Sequence, residues 1–334
     1  MEHDPQQTNR NKQRKISTKL QKQRSENTPT KHHNDTKTRR METLMACFRP
    51  IYGWQKEPGA PLQFGAERPN TRHVDIPCGY CLGCRLTKSR GWAIRCMHEA
   101  HMHKQNCFIT LTYDEAHYQP GLNYADFKRF IRRVVAEKGP TRYFMCGEYG
   151  EKLKRPHFHA ILFGQTFTDA KDFGKTHISE QLTKLWGKGN TSVDQATYQS
   201  AGYVARYTVK KQYGKQNEKH YERIDIQTGE IIKVRPEFAQ MSRRPGIGQT
   251  FIEKYWPEIY LARDAVITPG GKTNTPPKYY DKWLKEHQIE LKEWKDYERY
   301  KNSRTFEKDT TPERLTAREI NAAENIKRKI RTLE

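Results

Sequence analysis

Residues 143–164 constrain the fold more than any other part of the chain. Two apolar, β-prone runs, 143–146 and 158–163, flank a connection rich in glycine and lysine, a pattern that predicts an antiparallel hairpin. Side chains alternate between the two faces of a strand, so His157 and His159 share a face and Phe158 takes the other. Two imidazoles on one face can hold a divalent metal, and Glu148 on the preceding strand is placed to complete the set. Imidazole suits transition metals and carboxylate adds a harder oxygen, so Mn²⁺ or Mg²⁺ is the expected ion. Taken alone, the His-x-His pair fits two half-buried strand histidines equally well.

A second constellation favours the metal reading. If residues 201–211 are helical, Tyr203, Tyr207 and Lys211 fall at i, i+4 and i+8 on one face. Two phenols and an ammonium opposite a metal site supply a nucleophile and a phosphate contact. Without such a site, both tyrosines would read as core aromatics.

Charge narrows the partner. The 334 residues are enough to bury a sizeable core in one or two domains, and 61 Lys+Arg stand against 39 Asp+Glu, a formal net charge of +22. Such a field attracts polyanions and supplies the salt-sensitive, sequence-independent part of nucleic-acid affinity. An acidic membrane surface would compete for it. No apolar run approaches the length of a membrane span, and residues 1–40 are too polar for a signal peptide, so a cytosolic protein without a membrane role is expected.

Three of the seven cysteines are packed into Pro-Cys-Gly-Tyr-Cys-Leu-Gly-Cys-Arg, residues 77–85. Two successive Cys-x-x-Cys steps bring Cys78, Cys81 and Cys84 close enough to share one soft ion. Zinc would need a fourth ligand, for which Cys47, Cys96 and His98 are candidates. A cluster of reduced thiols fits the same spacing.

The remaining segments fall into order around these motifs. Residues 1–44 are basic, nearly free of apolar side chains and expected to be a disordered tail. The cysteine cluster and a helix over 86–104 occupy 45–105. Region 106–214 is expected to form the catalytic core, with a strand over 107–113, an amphipathic helix over 124–137, the histidine hairpin, a short helix over 178–186, a strand over 190–193 and the tyrosine helix over 198–212. A charged hairpin and a basic, Gly-rich loop fill 215–275, with a helix over 251–261 despite Pro257, and 276–334 reads as charged, solvated helix.

Several of these segments match one family in its own order. They are residues 77–85, Trp-Ala-Ile-Arg-Cys-Met-His-Glu-Ala (92–100), Phe-Ile-Thr-Leu-Thr-Tyr (108–113), Cys-Gly-Glu-Tyr-Gly-Glu (146–151) and Arg-Pro-His-Phe-His-Ala (155–160). Tyr-Val-Ala-Arg-Tyr (203–207), Met-Ser-Arg-Arg-Pro-Gly-Ile-Gly (241–248) and Pro-Pro-Lys-Tyr-Tyr-Asp (276–281) continue the series. The chain resembles the replication initiators of gokushovirus-type microviruses, small single-stranded DNA phages, within the His-hydrophobic-His endonuclease superfamily.

The resemblance implies an α+β fold, with a central antiparallel sheet carrying the metal site and a flanking helix presenting tyrosine. It assigns Mg²⁺ or Mn²⁺ to His157, His159 and Glu148, with Glu151 as the substitute acid in a different register. The nucleophiles map to Tyr203 and Tyr207. The implied activity is rolling-circle initiation: nicking of single-stranded or supercoiled origin DNA, a 5′-phosphotyrosyl link, a free 3′-OH primer and later rejoining. Implied partners are the origin and the host polymerase and helicase, in the cytoplasm of the bacterial host. A non-catalytic, zinc-containing nucleic-acid-binding or DNA-packaging protein would explain the charge and the cysteines. It gives no reason for the His-x-His and paired-tyrosine layout.

Overall fold

The computed structural model describes residues 47–57, 60–150, 153–174, 176–210, 221–224, 229–305 and 309–331, with backbone alone at 207–210, 304 and 327–331. The expected tail over 1–44, Glu151, Lys211 and the side chain of Tyr207 lie outside the described residues. The chain divides into two compact units, one comprising Ser89–Tyr255 and the other comprising the chain before and after it.

Ahead of Ser89, β1 (Ile51–Gln55) and β2 (Arg72–Ile76) pair antiparallel, with Ile51 opposite Ile76. The weak strand signal at 62–64 yields only a bridge from Gln63 to Trp54.

The unit Ser89–Tyr255 is built on a seven-stranded antiparallel sheet. Its strands are β3 (Asn106–Thr112), β4 (Arg142–Tyr149), β5 (Pro156–Phe163), β6 (Lys171–Phe173), β7 (Thr176–Ile178), β8 (Thr191–Gln195) and, after the separate hairpin of β9 (Glu222–Ile224) and β10 (Ile231–Lys233), β11 (Phe238–Met241). The order across the sheet is β11-β4-β5-β3-β8-β7-β6, so the histidine strand β5 sits between β4 and β3. This is the α+β architecture expected, a central antiparallel sheet flanked by helices.

Alternation along the strands sorts the two faces. Ile109, Leu111, Met145, Phe158, Ala160 and Leu162 point into one core, which helix Tyr124–Lys138 covers with Phe127, Phe130 and Val134, and helix Glu180–Trp186 with Leu182, Leu185 and Trp186. The opposite face carries Phe144, Cys146, Ile161 and Phe163 against Ala93, Cys96 and Ala100 of helix Leu82–His101 and Ala201, Val204 and Ala205 of helix Tyr198–Lys210. Small residues on these two helices let their backbones lie close to the sheet.

Local chemistry fixes the helix ends. Asn123 starts helix Tyr124–Lys138 by accepting from the Ala125 N–H, and Ser179 does the same for helix Glu180–Trp186 through the Leu182 N–H. Ile178, expected in that helix, ends β7 instead, because the cap at Ser179 fixes the first turn. Gly189 (φ +133°) lies against the β3 exit, where an added Cβ would sit 2.3 Å from the Asp114 nitrogen, so the approach requires glycine.

After Tyr255 the expected helix continues past Trp256 as a π-turn, Pro257–Leu261, since proline lacks the N–H that an α-helix would use there. A hairpin of β12 (Val266–Thr268) and β13 (Lys272–Asn274) leads to helices Lys278–His287, Ile289–Arg304 and Pro312–Arg331. The expectation of a merely solvated C-terminal helix is corrected here. Tyr280, Leu284, Leu291 and Leu315 are buried, and Arg299 forks between Asp264 (2.7 Å) and Asp281 (3.0 Å). Sparse but large aromatic side chains and a shared guanidinium hold what a low apolar count conceals.

Candidate active site

Cross-strand register assembles the site. On β4 and β5, Glu148 stands opposite His157 and Cys146 opposite His159, while β3 places Thr110 opposite His159 and Thr112 opposite His157. His157 and His159 therefore project to the face covered by helix Tyr198–Lys210, and Phe158 goes into the opposite core. One oxygen of Glu148, Oε1, lies 2.7 Å from His157 Nε2, 2.9 Å from His159 Nε2 and 2.9 Å from the Tyr203 hydroxyl. Glu148 is buried, at 4% exposure, and its second oxygen is buried without a hydrogen-bond partner.

The outer nitrogens explain why this is a metal-shaped set. His157 Nδ1 lies 3.1 Å from the Arg155 carbonyl, which can only accept, so Nδ1 carries a proton. In the neutral ring, Nε2 then presents a lone pair to a carboxylate oxygen, an arrangement that requires a cation between them, either a proton or a metal. His159 is held in the same manner, its Nδ1 2.9 Å from Thr110 Oγ1, and its ring stacks on Phe108 at 5.6 Å and 7°. Outer partners of this kind orient metal-ligating imidazoles. With the orphaned Glu148 Oε2, the donor set of two imidazoles and one carboxylate fits a divalent ion with open positions.

Electrostatics follow the geometry. Burial works against the charge of Glu148, but hydrogen bonds from His157 and then His159 outweigh it and hold the carboxyl down to about 2. Tyr203 moves the other way. Burial first, then the charge of Glu148 and the hydrogen bond to it, push the phenol well above its ordinary value, against a smaller opposing effect of Arg206. The Arg206 guanidinium sits 5.9 Å over the Tyr203 ring.

The structure thus brings together His157, His159, Glu148 and Tyr203. It places position 207 one turn beyond Tyr203 on the same helix, and Lys211 and Glu151 lie outside the described residues. Thr110 and the Arg155 carbonyl were not legible as site groups, because their roles depend on strand register and backbone direction. The three cysteines 78, 81 and 84 form a separate group with Cys47 as the fourth member. The other two candidates are otherwise engaged: Cys96 is buried in the second core, and the His98 ring stacks on Phe251 at 3.8 Å.

Among the described residues, no helix is long and apolar enough to cross a membrane. A family model for replication-associated proteins of the ORF2 type matches residues 106–212, the stretch that holds β3 through the tyrosine helix. Replication-associated protein VP4 of Bdellovibrio phage phiMH2K is 34% identical over 273 residues, covering 76% of this chain and 81% of that protein. Replication-associated protein ORF2 of Spiroplasma virus 4 is 28% identical, over 75% of this chain and 82% of the relative. For Replication-associated protein ORF4 of Chlamydia phage 1 the identity is 34%, over 41% and 38%. No solved structure matches.

Proposed function

The chain belongs to the replication-associated proteins of small phages, and from that premise we propose that it starts rolling-circle replication by nicking single-stranded origin DNA through a tyrosine. The observation that carries this reading is the convergence of Tyr203, His157 and His159 on Glu148 Oε1, a nucleophile beside a metal-shaped donor set.

When held by Glu148, His157 and His159, Mg²⁺ or Mn²⁺ would polarise the scissile phosphate and offset the charge developing on its oxygens. Tyr203 supplies the attacking oxygen. Its bond to phosphorus forms as the P–O3′ bond breaks, one proton leaving the phenol and one joining the departing 3′-oxygen. The products are a 5′-phosphotyrosyl link and a free 3′-OH for the host polymerase, with the host helicase opening the duplex ahead. Tyr207 is assigned the second cut, after which the released 3′-OH attacks the first link and closes the circle. The covalent link conserves the phosphodiester energy, so no nucleotide is consumed. Lys211 is assigned a phosphate contact, and the basic surface a role in gathering the origin strand in the host cytoplasm.

The test is cleavage of single-stranded DNA carrying the cognate phage origin, with Mn²⁺ or Mg²⁺, read on denaturing gels for a protein–DNA adduct. The expected result is an adduct that disappears without metal, in His157→Ala/His159→Ala, and in Tyr203→Phe/Tyr207→Phe. Cleavage without any adduct would point to a hydrolase. Binding without cleavage would favour a packaging protein.

A further inference from the structure

We propose that Cys47, Cys78, Cys81 and Cys84 form a structural tetrathiolate zinc centre, separate from the ion of the nicking site and independent of whether nicking occurs. The Sγ atoms of all four lie within 4.8 Å of one another. Cys47 Sγ is 3.7 Å from Cys78 Sγ and 3.8 Å from Cys81 Sγ. A tetrahedron with Zn–S bonds of about 2.3 Å has edges of about 3.8 Å, so two of its edges are already in place. These separations are far from a disulfide, whose sulfurs stand about 2 Å apart.

Backbone donors are aimed at the sulfurs. The N–H groups of Cys78 and Phe48 reach Cys47 Sγ and Cys81 Sγ, each at 3.3 Å, and that of Cys81 reaches Cys78 Sγ at 3.3 Å. The Cys84 N–H lies 3.5 Å from Cys81 Sγ. Such donors stabilise thiolate rather than thiol, the form in which cysteine binds metal. Gly79, at φ +84°, turns the chain between the first two ligands in a conformation that favours glycine.

The surrounding structure explains why an ion is needed. The β1–β2 ladder closes at Ile51 and Ile76, which places Cys47 and Cys78 just outside its open end. Ile51 and Tyr52 are exposed at 41% and 54%, and a two-stranded ladder with so little burial is not stable by itself. A zinc ion tying Cys47 to the knuckle at Cys78–Cys84 supplies the missing cross-link. The other three cysteines, Cys96, Cys107 and Cys146, are dispersed in the two cores of the sheet.

The experiment uses the full chain, purified without added metal or chelator and analysed by mass spectrometry for zinc and iron. Roughly one zinc per chain is expected, surviving dialysis that removes Mg²⁺ and Mn²⁺, lost in Cys47→Ser and retained in Cys96→Ala and in His157→Ala/His159→Ala. Should Cys47→Ser fail to fold, cobalt exchange into the wild-type chain gives a second reading, an absorption spectrum with the thiolate-to-cobalt intensity of four sulfurs. Absence of stoichiometric zinc, iron in its place, zinc that departs with the histidine pair, or a cobalt spectrum of fewer thiolates would each overturn the proposal.

Discussion

The hydroxyl of Tyr203 donates to Glu148 Oε1 at 2.9 Å, the same oxygen that both imidazoles of the His-x-His pair approach. Without an ion, the carboxylate therefore holds the proposed nucleophile by its proton, and the phenol stays neutral far above an ordinary tyrosine pKa of about 10. A cation at that oxygen competes with the phenol for the same lone pairs. The proposed metal ligand and the proposed nucleophile are thus coupled through one atom.

Replacing Tyr203 with phenylalanine removes this contact and the proposed nucleophile while keeping the ring against His159 and Phe108. The first cut should slow on the order of a hundredfold or more, with the fold intact by circular dichroism. Quantifying adduct formation over time checks it, and an unchanged rate would transfer the first attack to Tyr207.

Thr110→Val keeps the shape of the side chain but removes the partner of His159 Nδ1. Loss of an outer orienting contact commonly costs about 10–100-fold in metal affinity. Titration calorimetry with Mn²⁺ should show a drop in that range, with the thermal midpoint in EDTA close to wild type.

Gly147 precedes Glu148 on the site strand, and an added Cβ would meet Leu122 Cδ2 at 3.0 Å and the Phe158 ring at 3.2 Å. Gly147→Ala should destabilise by about 1–3 kcal/mol through overpacking, measured by urea unfolding. Its effect on Mn²⁺ binding should exceed that of an equally destabilising change elsewhere in the first core, since β4 must shift to admit the methyl group.

The half-buried ring of His98 is held down to about 4 by burial, with a smaller push from His101. A histidine that resists protonation in the folded state gives stability that is present above the unfolded value near 6.5 and lost as pH falls toward 4. Unfolding free energy should decline by about 2 kcal/mol from this group across that window. In His98→Phe, which keeps the stack on Phe251, denaturant curves at pH 7 and pH 4.5 should lie closer together than in wild type.

Much of the site was legible because its signals are local. Period-two alternation places His157 and His159 together, and the 3.6-residue period finds helix Tyr124–Lys138. What escaped depends on pairing across long separations. Thr110 meets His159 only because β3 and β5 adopt one register, and the sequence leaves Cys47, Cys96 and His98 equal as a fourth cysteine-site ligand until the β1–β2 ladder closes. The short strands β6 and β7, of three residues each, are too brief to show a period at all. Burial in the C-terminal helices was hidden for another reason: Tyr280, Trp283 and Arg299 do the packing that aliphatic runs usually announce.

Strand β5 interleaves two functions residue by residue, with Phe158, Ala160 and Leu162 in one core and His157 and His159 facing the helix of Tyr203. Deleting or inserting a single residue within it would turn a phenylalanine toward the carboxylate and a histidine into the hydrophobic interior at once. Length variation among related chains should therefore be barred from this strand and pushed into the connections at its ends. A lineage can retune the site by substitution, but it cannot reach a new one by slipping the reading of the pleat.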